Sequence, residues 1–378
     1  MPRFAGMLAA AYQALGHEVQ RWSPRPVLQP WFAGTRLGKW AGYVDQYLLF
    51  PRWVRRQLRE AHPDTLYVFA DQALGPWVPL VQHLPHVIHV HDLLALRSAQ
   101  GLVPENPTRW SGRVYQRYIR RGFRHGRRFI CISRRTQTDL IEFGGVDAAL
   151  TDVVYNDLNH PFRALGLEAA VSALQARGLP MPATGCLVHI SGGQWYKNLP
   201  GVLGLYAEYA SRHAQPLPLW LIGPFGPADL ARSLKPLPPQ ARVHCVSGLD
   251  AATLEQVYGA AQALIFPSHA EGFGWPILEA QAAGCPVLTT DDAPMNEIGG
   301  PEARYLPRLK ANTDTQAWCR QGADQLDDLL QADEAERQRR SAACVQWASG
   351  FAQGRALQAY LAIYREVMDQ APGVGHEH

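Results

Sequence analysis

Short apolar runs alternate with longer stretches of helical length along nearly the whole chain. The runs are apolar on both faces and rich in β-branched residues, as strands buried inside parallel sheets are. Strands are predicted at residues 66–70, 86–91, 128–133, 152–155, 186–191, 217–222, 242–246, 263–267 and 286–290. Helices are predicted between them, for example at residues 4–15, 113–124, 134–142, 199–212, 252–260 and 275–283. This alternation predicts an α/β fold with parallel sheets covered by helices.

Turn-rich sequence between residues 156 and 183 separates four predicted strands from five. The simplest assembly is two Rossmann-like domains that face each other across a cleft. We expect the first domain at residues 1–160 and the second at residues 161–349. The final helix, residues 350–370, carries an apolar stripe, and we expect it to pack back on the first domain.

The start of the chain departs from this plan. A Rossmann-like domain usually begins with a strand, but here the first residues have a helical pattern. Residues 15–22 (LGHEVQRW) then predict a helix end followed by the second strand. Either the first strand of the first domain is absent from this sequence or the edge of the sheet is built in another way. We favour the absent strand, with Met1 originally internal.

Composition narrows the class of protein. The chain has 378 residues, of which 47% are hydrophobic, and this fraction excludes an intrinsically disordered protein. No apolar run reaches the length of a membrane-spanning helix, and the N-terminal sequence lacks the pattern of a secretory signal. The six cysteines form no C-x-x-C pair, so we expect reduced, buried thiols in a cytoplasmic protein.

Charge is divided unevenly between the two halves. Residues 1–160 carry 20 Lys and Arg against 12 Asp and Glu, whereas residues 161–378 carry 16 against 21. The basic excess peaks in one predicted helix, where five arginines share a face: Arg113, Arg117, Arg120, Arg121 and Arg124. The face is either simply solvated or attracted to an anionic lipid or a phosphorylated acceptor. No motif for RNA or DNA binding accompanies it, so we expect no nucleic-acid partner.

The strongest chemical signal lies between residues 263 and 300. A predicted strand ends there at the edge where open α/β sheets bind ligands, and Glu271 and a Gly-Phe-Gly loop follow before a helix begins. Glycines allow close approach of a ligand, and the N–H groups at the helix start can bind a diphosphate. Glu279 suits a pair of vicinal hydroxyls, such as those of a ribose. The alternative is an ordinary strand–loop–helix turn with an N-capping acid.

The whole segment carries a longer pattern. The sequence EGFGWPILE, followed by A-x-A-x-G-x-P-V, resembles the family 4 glycosyltransferases, which are retaining enzymes of the GT-B fold. The resemblance covers most of the chain and includes IHVHDL, FICISRRTQTDLIEFG, VVYNDLNHPF, HISGGQWYKN, LWLIGPFG and VHCVSGLD. It implies two Rossmann-like domains across a cleft, of which the second binds a nucleotide-sugar.

The resemblance implies a role for each matching residue in the donor site. Lys197 would neutralise the diphosphate, in a loop that in the family often carries an Arg and here carries Gln194. Glu271 would lie beside the donor sugar as one of two catalytic residues, and Glu279 would hold the ribose. The remaining donor-binding residues would be Gly192, Gly193, Gly223, Val246, Gly272, Phe273, Gly274 and Trp275.

His91 is the second expected catalytic residue. It ends a strand of the first domain, and the resemblance implies that it bonds the transferring sugar. His89, two residues earlier, is its rival for this role. Asp92 could either orient an imidazole or cap the next helix.

The implied reaction moves a hexose from a nucleotide-diphosphate sugar to a hydroxyl with retention, the leaving diphosphate helping to deprotonate the acceptor. No D-x-D sequence occurs, so we expect no metal site and no cofactor beyond the nucleotide-sugar as co-substrate. We expect a glycan or lipid-linked acceptor in surface polysaccharide or lipopolysaccharide synthesis, and peripheral contact with the cytoplasmic face of the inner membrane. The alternatives are a nucleotide-sugar epimerase and a non-catalytic sugar-nucleotide binder.

Overall fold

The structure is a computed structural model that describes residues 2–225 and 237–370. It contains two parallel sheets. The first has the order β1-β2-β3-β4 and the second the order β10-β9-β8-β5-β6-β7. The strands are β1 Tyr67–Phe69, β2 His86–Val90, β3 Phe129–Cys131, β4 Thr151–Val153, β5 Cys186–Ile190, β6 Leu219–Ile222, β7 Val243–Val246, β8 Ala261–Phe266, β9 Val287–Thr290 and β10 Arg304–Leu306. The α/β prediction is confirmed.

Helices cover both sheets. They are α1 Pro2–Ala14, α2 Gly38–Val44, α3 Phe50–Glu60, α4 Leu94–Ala99, α5 Trp110–Phe123, α6 Arg134–Asp139, α7 Leu167–Ala176, α8 Leu199–Arg212, α9 Ala251–Ala260, α10 Trp275–Ala282, α11 Met295–Gly299, α12 Thr315–Leu330, α13 Glu334–Ser349 and α14 Arg355–Asp369. Shorter helical turns lie at Gln29–Phe32, Asp45–Leu49, Gln72–Leu80, Leu140–Gly144, Ala148–Leu150 and Trp195–Lys197. None of the helices within these two ranges combines the length and hydropathy that crossing a membrane requires.

The predicted strand at residues 15–22 is wrong. Residues 17–26 run as irregular chain, and Trp22 packs against Trp53 and Tyr67 with ring centroids 5.6 and 5.8 Å away. A strand forms only where its N–H and C=O groups find a partner in a sheet. Within the described ranges, the first sheet consists of β1 to β4, and residues 17–26 pair with none of these strands.

The second sheet has one strand more than predicted. β10 consists of three residues and pairs with β9 at the edge of the sheet.

Edge position also explains a second difference, which concerns the thiols. Five cysteines are buried as expected, but Cys245 is exposed because it lies on β7, the opposite edge strand.

The last helix closes the first sheet. Tyr360, Ile363, Tyr364 and Val367 of α14 form one cluster with Leu8 and Tyr12 of α1 and with Val87 and Ile130 of the sheet. After the chain has formed the second sheet, its last helix therefore returns to pack against the first sheet, and this contact connects the two halves.

Polar contacts join the two halves beside the cleft. Ser133 Oγ donates to the carbonyl of Gly272 at 3.0 Å. Glu297, on α11, accepts hydrogen bonds of 2.9 Å from the backbone N–H groups of Arg134 and Arg135, at the start of α6. A carboxylate is favourable there because the first N–H groups of a helix lack partners within it.

Candidate active site

Two loops of the second domain meet where β5 and β6 end. Gly223 has φ 140°, and a Cβ at this position would collide with the carbonyl oxygen of Ser191. Its N–H donates to the carbonyl of Val246 at 2.8 Å. Glycine is therefore required at 223 to bring these strand ends together. The structure places Gly223 and Val246 at the same sheet edge as the loop that carries Gly192 and Gly193.

That loop leads to Lys197 and is fastened to the end of β8. Asn198, in the left-handed conformation with φ 55°, caps α8 by accepting from Gly201 N–H, and its Nδ2 donates to the carbonyl of Pro267 at 2.9 Å. The N–H of His269 donates to the carbonyl of Tyr196 at 2.7 Å. These bonds hold Lys197 beside the segment that contains Glu271. Gln194 remains exposed at the start of the loop.

Lys197 and Glu271 form a buried ion pair. Lys197 Nζ lies 2.8 Å from Glu271 Oε1, and the two side chains are 12% and 8% exposed. The ammonium also lies over the ring of Phe266, 4.6 Å from its centroid. Burial raises the pKa of the Glu271 carboxyl, and the Lys197 ammonium opposes that shift. The sequence placed both residues at the donor site but did not predict that they pair with each other.

The glycine loop after Glu271 packs against the first domain. A Cβ on Gly272 would collide with the carbonyl oxygen of His91, so only glycine permits this approach. Phe273 is 2% exposed and belongs to the hydrophobic core, so it can contact a ligand only through its backbone. Gly274 has φ 106° and precedes Trp275, the first residue of α10. Within the described chain, the N–H groups of residues 272–274 donate to no other protein group, which leaves them available to an anion.

Glu279 lies on the first turns of α10 and is 7% exposed. Its Oε1 accepts from Asn159 Nδ2 at 3.0 Å and its Oε2 from the Tyr258 hydroxyl at 3.1 Å. Burial raises the pKa of Glu279, while these two hydrogen bonds lower it. The sequence did not predict either partner, although Asn159 lies in the turn-rich segment between the domains. A carboxylate accepts about four hydrogen bonds, so two acceptor positions remain.

His91 lies at the carboxyl end of β2, on the opposite side of the cleft. Its Nε2 is 2.9 Å from the carbonyl oxygen of Ala70. A carbonyl only accepts, so Nε2 carries the proton and Nδ1 is left as an acceptor in the neutral ring. Gln72 holds the backbone here, since its Oε1 accepts from His91 N–H at 3.0 Å and its Nε2 donates to the carbonyl of Asp92 at 2.7 Å. The pattern at the end of β2 did not reveal Gln72, because this residue follows β1 and meets His91 only in the folded chain.

The rival, His89, is a core residue. It is completely buried and lies 2.6 Å from the hydroxyl of Tyr364 on α14. Burial lowers the pKa of His89 to about 3, so its ring is neutral. Of the two alternatives for Asp92, the structure favours a role at the helix start, because its Oδ1 accepts from the N–H of Leu94, the first residue of α4, at 3.0 Å.

The five arginines that the sequence places on one helix face lie apart from the residues of the cleft. Arg113, Arg117, Arg120, Arg121 and Arg124 are all exposed. Arg113 donates to the carbonyl of Thr108 at 3.1 Å, and Arg120 donates to that of Gly144 at 3.1 Å. The structure therefore brings the donor-side residues and His91 together across the cleft and leaves the arginine face on the outside of the first domain.

Two family models match the chain. The glycosyl transferase 4-like domain matches residues 1–157, and the glycosyl transferases group 1 model matches residues 186–339. They divide the chain where the two sheets divide, and together they cover most of it. The chain belongs to the family 4 glycosyltransferases. The two domains of this family 4 glycosyltransferase are thus both represented, and the resemblance seen in the sequence is confirmed.

Curated relatives of this family 4 glycosyltransferase include two D-inositol 3-phosphate glycosyltransferases. That of Mycolicibacterium gilvum is 29% identical over 220 residues, which cover 54% of this chain and 45% of the relative. That of Mycobacterium tuberculosis is 27% identical over 306 residues, which cover 78% of this chain and 58% of the relative. The chain spans about half the length of the curated relatives it matches.

Solved structures resemble the family 4 glycosyltransferase over nearly its whole length. Anabaena HepE in complex with UDP superposes with a TM-score of 0.66 at 17% identity, covering 94% of this chain and 88% of HepE. WaaG, a glycosyltransferase involved in lipopolysaccharide biosynthesis, gives 0.65 at 16% identity, covering 98% and 95%. These likenesses establish the GT-B fold, with two Rossmann-like domains.

Proposed function

We propose that this chain transfers a hexose, with retention, from a nucleotide-diphosphate sugar to a hydroxyl of a glycan or lipid-linked acceptor in surface polysaccharide synthesis. The observation that carries the proposal is the Lys197–Glu271 pair beside unpartnered N–H groups, with His91 facing it across the cleft. Support also comes from the names of the similar proteins, which include D-inositol 3-phosphate glycosyltransferases, a UDP complex and WaaG.

The donor diphosphate would replace Glu271 as the partner of Lys197. The ammonium is held in place before the ligand arrives, because the Asn198 and His269 hydrogen bonds fix its loop. The N–H groups of residues 272–274 would add dipoles aimed at the same phosphates. Positive potential fixed in advance on the leaving group stabilises the charge that develops as the sugar departs.

Glu271, once released, would lie beside the sugar with its carboxylate free to accept from sugar hydroxyls. Glu279 would accept from the ribose hydroxyls with the two positions that Asn159 and Tyr258 leave open. His91 would accept a sugar hydroxyl at Nδ1, since its Nε2 proton is engaged by Ala70. Gly192, Gly193, Gln194, Gly223 and Val246 would surround the nucleotide.

In the reaction, the bond between the anomeric carbon and the diphosphate oxygen breaks as the acceptor oxygen bonds to the same carbon on the same face. The acceptor proton passes to the departing diphosphate, which is the base in this step. The chain contributes position and electrostatic stabilisation, and no second carboxylate at glycosidase spacing is needed. The exposed arginines at residues 113–124 would add a weaker, diffuse attraction of the first domain to an anionic acceptor or membrane surface.

A transfer assay tests the proposal. The chain is incubated with UDP-, GDP- and ADP-hexoses and with lipid-linked and free glycan acceptors, and nucleotide release and product are followed by mass spectrometry and NMR. The proposal expects an acceptor-dependent product whose anomeric configuration matches the donor's. Conversion of the donor sugar without acceptor would instead identify an epimerase, and an inverted product would contradict retention. Glu279→Gln, which removes the carboxylate proposed to hold the ribose, is the matched control and should bind the donor more weakly.

A further inference from the structure

The exposed apolar side chains are concentrated in one part of the chain. Of the 17 large hydrophobic residues that are exposed in the described ranges, 16 lie within the first 118 residues. Trp31, Trp40 and Trp110 are 85%, 66% and 78% exposed. Single exposed apolar residues are normal on a protein surface, whereas such a concentration marks an interaction site.

A cavity of about 490 Å³ lies in the same part of the chain, and the exposed side chains of Leu48 and Tyr118 are among those that line it. It lies between the turn Asp45–Leu49, the helices α3 and α5, and the segment Gln72–Leu80. We call it the arginine cavity and define it by its principal lining residues, Tyr47, Arg52, Arg55, Trp77, Tyr118 and Arg121. It is separate from the donor residues, none of which lines it.

The charge of the arginine cavity is uncompensated. No Asp or Glu lies among its described lining residues, and within the described chain neither Arg55 nor Arg121 pairs with a carboxylate. Arg52 donates only to the carbonyl of Leu48, at 3.2 Å. The nearby acid, Asp45, is buried and accepts from the N–H groups of residues 27–29. Three guanidinium groups are therefore free to bind an anion, and phosphate is the anion that their planar, multiple donors match best.

The wall of the cavity is aromatic and fixed. The rings of Tyr47 and Trp77 stack with centroids 6.0 Å apart, and Tyr118 packs 5.6 Å from Tyr47. Trp77 Nε1 donates to the carbonyl of Gln46 at 3.2 Å. A row of aromatic contacts leads outward from Tyr47 through Tyr43 to the exposed Trp40.

Aromatic and arginine side chains together are typical of the interface between a bilayer and water. Rings with a polar end lie at headgroup level, and Arg carries its charge to the phosphate while its apolar stem stays in contact with acyl chains. A soluble phosphorylated compound would explain the arginines but not the row of aromatic side chains that runs from the cavity to the exposed Trp40. The combination favours an anionic lipid surface, to which the charge of this patch is complementary.

We propose that the arginine cavity binds the phosphate headgroup of an anionic membrane lipid, while Trp40, which the row of aromatic contacts joins to Tyr47, enters the headgroup layer beside it. This inference rests on the membrane contact included in the proposed function and adds to it a defined lipid site on α3 and α5. It does not depend on sugar transfer, because the cavity and the donor site share no residue.

Vesicle co-sedimentation tests the proposal with the full chain. The vesicles contain phosphatidylcholine alone or with phosphatidylglycerol, mixed three to one. Two triple variants remove equal charge: Arg52→Gln, Arg55→Gln and Arg121→Gln in the cavity, and Arg113→Gln, Arg117→Gln and Arg124→Gln, which belong to the same arginine face as Arg121 but do not line the cavity. Because each basic group at a membrane surface contributes about a fivefold factor, we expect the cavity variant to bind anionic vesicles about a hundredfold more weakly, and the α5 variant less than tenfold.

Two outcomes would overturn the cavity assignment. One is an equal loss in both variants, which would leave only diffuse charge on the surface. The other is thermal stabilisation by glycerol 3-phosphate or inorganic phosphate in a wild-type chain that binds no vesicles, which would identify a site for a soluble phosphate. Thermal stabilisation by the donor nucleotide, unchanged in the cavity variant, shows that the variant is folded and separates failure of this inference from failure of the proposed function.

Discussion

Replacing Lys197 with Met leaves the Glu271 carboxylate buried without its partner. The two charges are 2.8 Å apart and about nine-tenths buried. Breaking a buried ion pair by removing one member costs about 3–5 kcal/mol, because the remaining charge has lost its compensation. For a domain of this size, 3 kcal/mol corresponds to a decrease of roughly 6–12 °C in Tm.

The pH dependence of this loss identifies its cause. Burial raises the pKa of Glu271, and Lys197 is the main group that opposes that shift. A carboxyl whose pKa is raised in the folded state contributes stability at low pH and loses it as the pH rises through the folded pKa. The deficit of Lys197→Met should therefore shrink as the pH falls and the Glu271 carboxyl takes up a proton.

The double variant provides the control. Lys197→Met combined with Glu271→Gln removes the unpaired charge, and we expect most of the lost stability to return although donor binding does not. Thermal denaturation of the wild type, both single variants and the double variant at several pH values measures the effect. A deficit that does not vary with pH, or a double variant as unstable as Lys197→Met, would refute this account of the pair.

Three further predictions concern other parts of the chain. Glu279→Gln should weaken nucleotide binding by about tenfold to a hundredfold, because it loses charge-assisted hydrogen bonds. In calorimetric titration, this variant should also bind a 2′-deoxy nucleotide as well as the ribonucleotide. Retained discrimination between the two would place the ribose elsewhere. Gln72→Ala should lower kcat about tenfold or more by releasing the backbone at His91, with the donor KM little changed, and an equal change in both constants would argue against a positioning role. Burial lowers the pKa of His89 to about 3, so its neutral form stabilises the fold above pH 6.5 and this contribution is lost as the pH falls toward 3. The Tm of the wild type should therefore decline over that pH range, and the Tm of His89→Gln should decline less steeply. Identical slopes would show that other groups dominate the pH dependence.

Elements whose signals are local were predicted closely. Helix α8 has the predicted bounds, because Asn198 and Pro200 mark its start and an apolar stripe continues to its end. Strands β2 and β5 were found within one residue because apolar runs of five residues with both faces buried have few alternatives. The strand predicted at residues 15–22 failed, since a strand also needs a partner that the sequence pattern does not reveal.

The residues of the site also fall into those with a local sequence signal and those that depend on distant parts of the chain. The pattern of the glycine loop placed Glu271 and Glu279 at the cleft, because the end of a parallel strand and the start of the next helix always lie at one edge of the sheet. Their partners were not predictable in this way. Lys197 is 74 positions away from Glu271, and Asn159 is 120 positions away from Glu279, so these contacts depend on how the loops meet in three dimensions.

The arginine cavity required the structure for a related reason. The sequence identified the charged face of α5, but it gave no sign that Arg121 joins Arg52 and Arg55 of α3 around one opening. The exposed tryptophans were equally hidden, since apolar residues in a sequence are expected in a core.

The most direct test of the account is a calorimetric comparison of nucleoside mono- and diphosphates, using whichever base binds most tightly among UDP, GDP and ADP. We expect the wild type to prefer the diphosphate, Lys197→Ala to lose this preference while still binding the monophosphate, and Glu279→Gln to weaken the binding of both ligands alike. An unchanged preference in Lys197→Ala, or no nucleotide binding by the folded wild-type chain, would contradict the assignment of this cleft as the donor site.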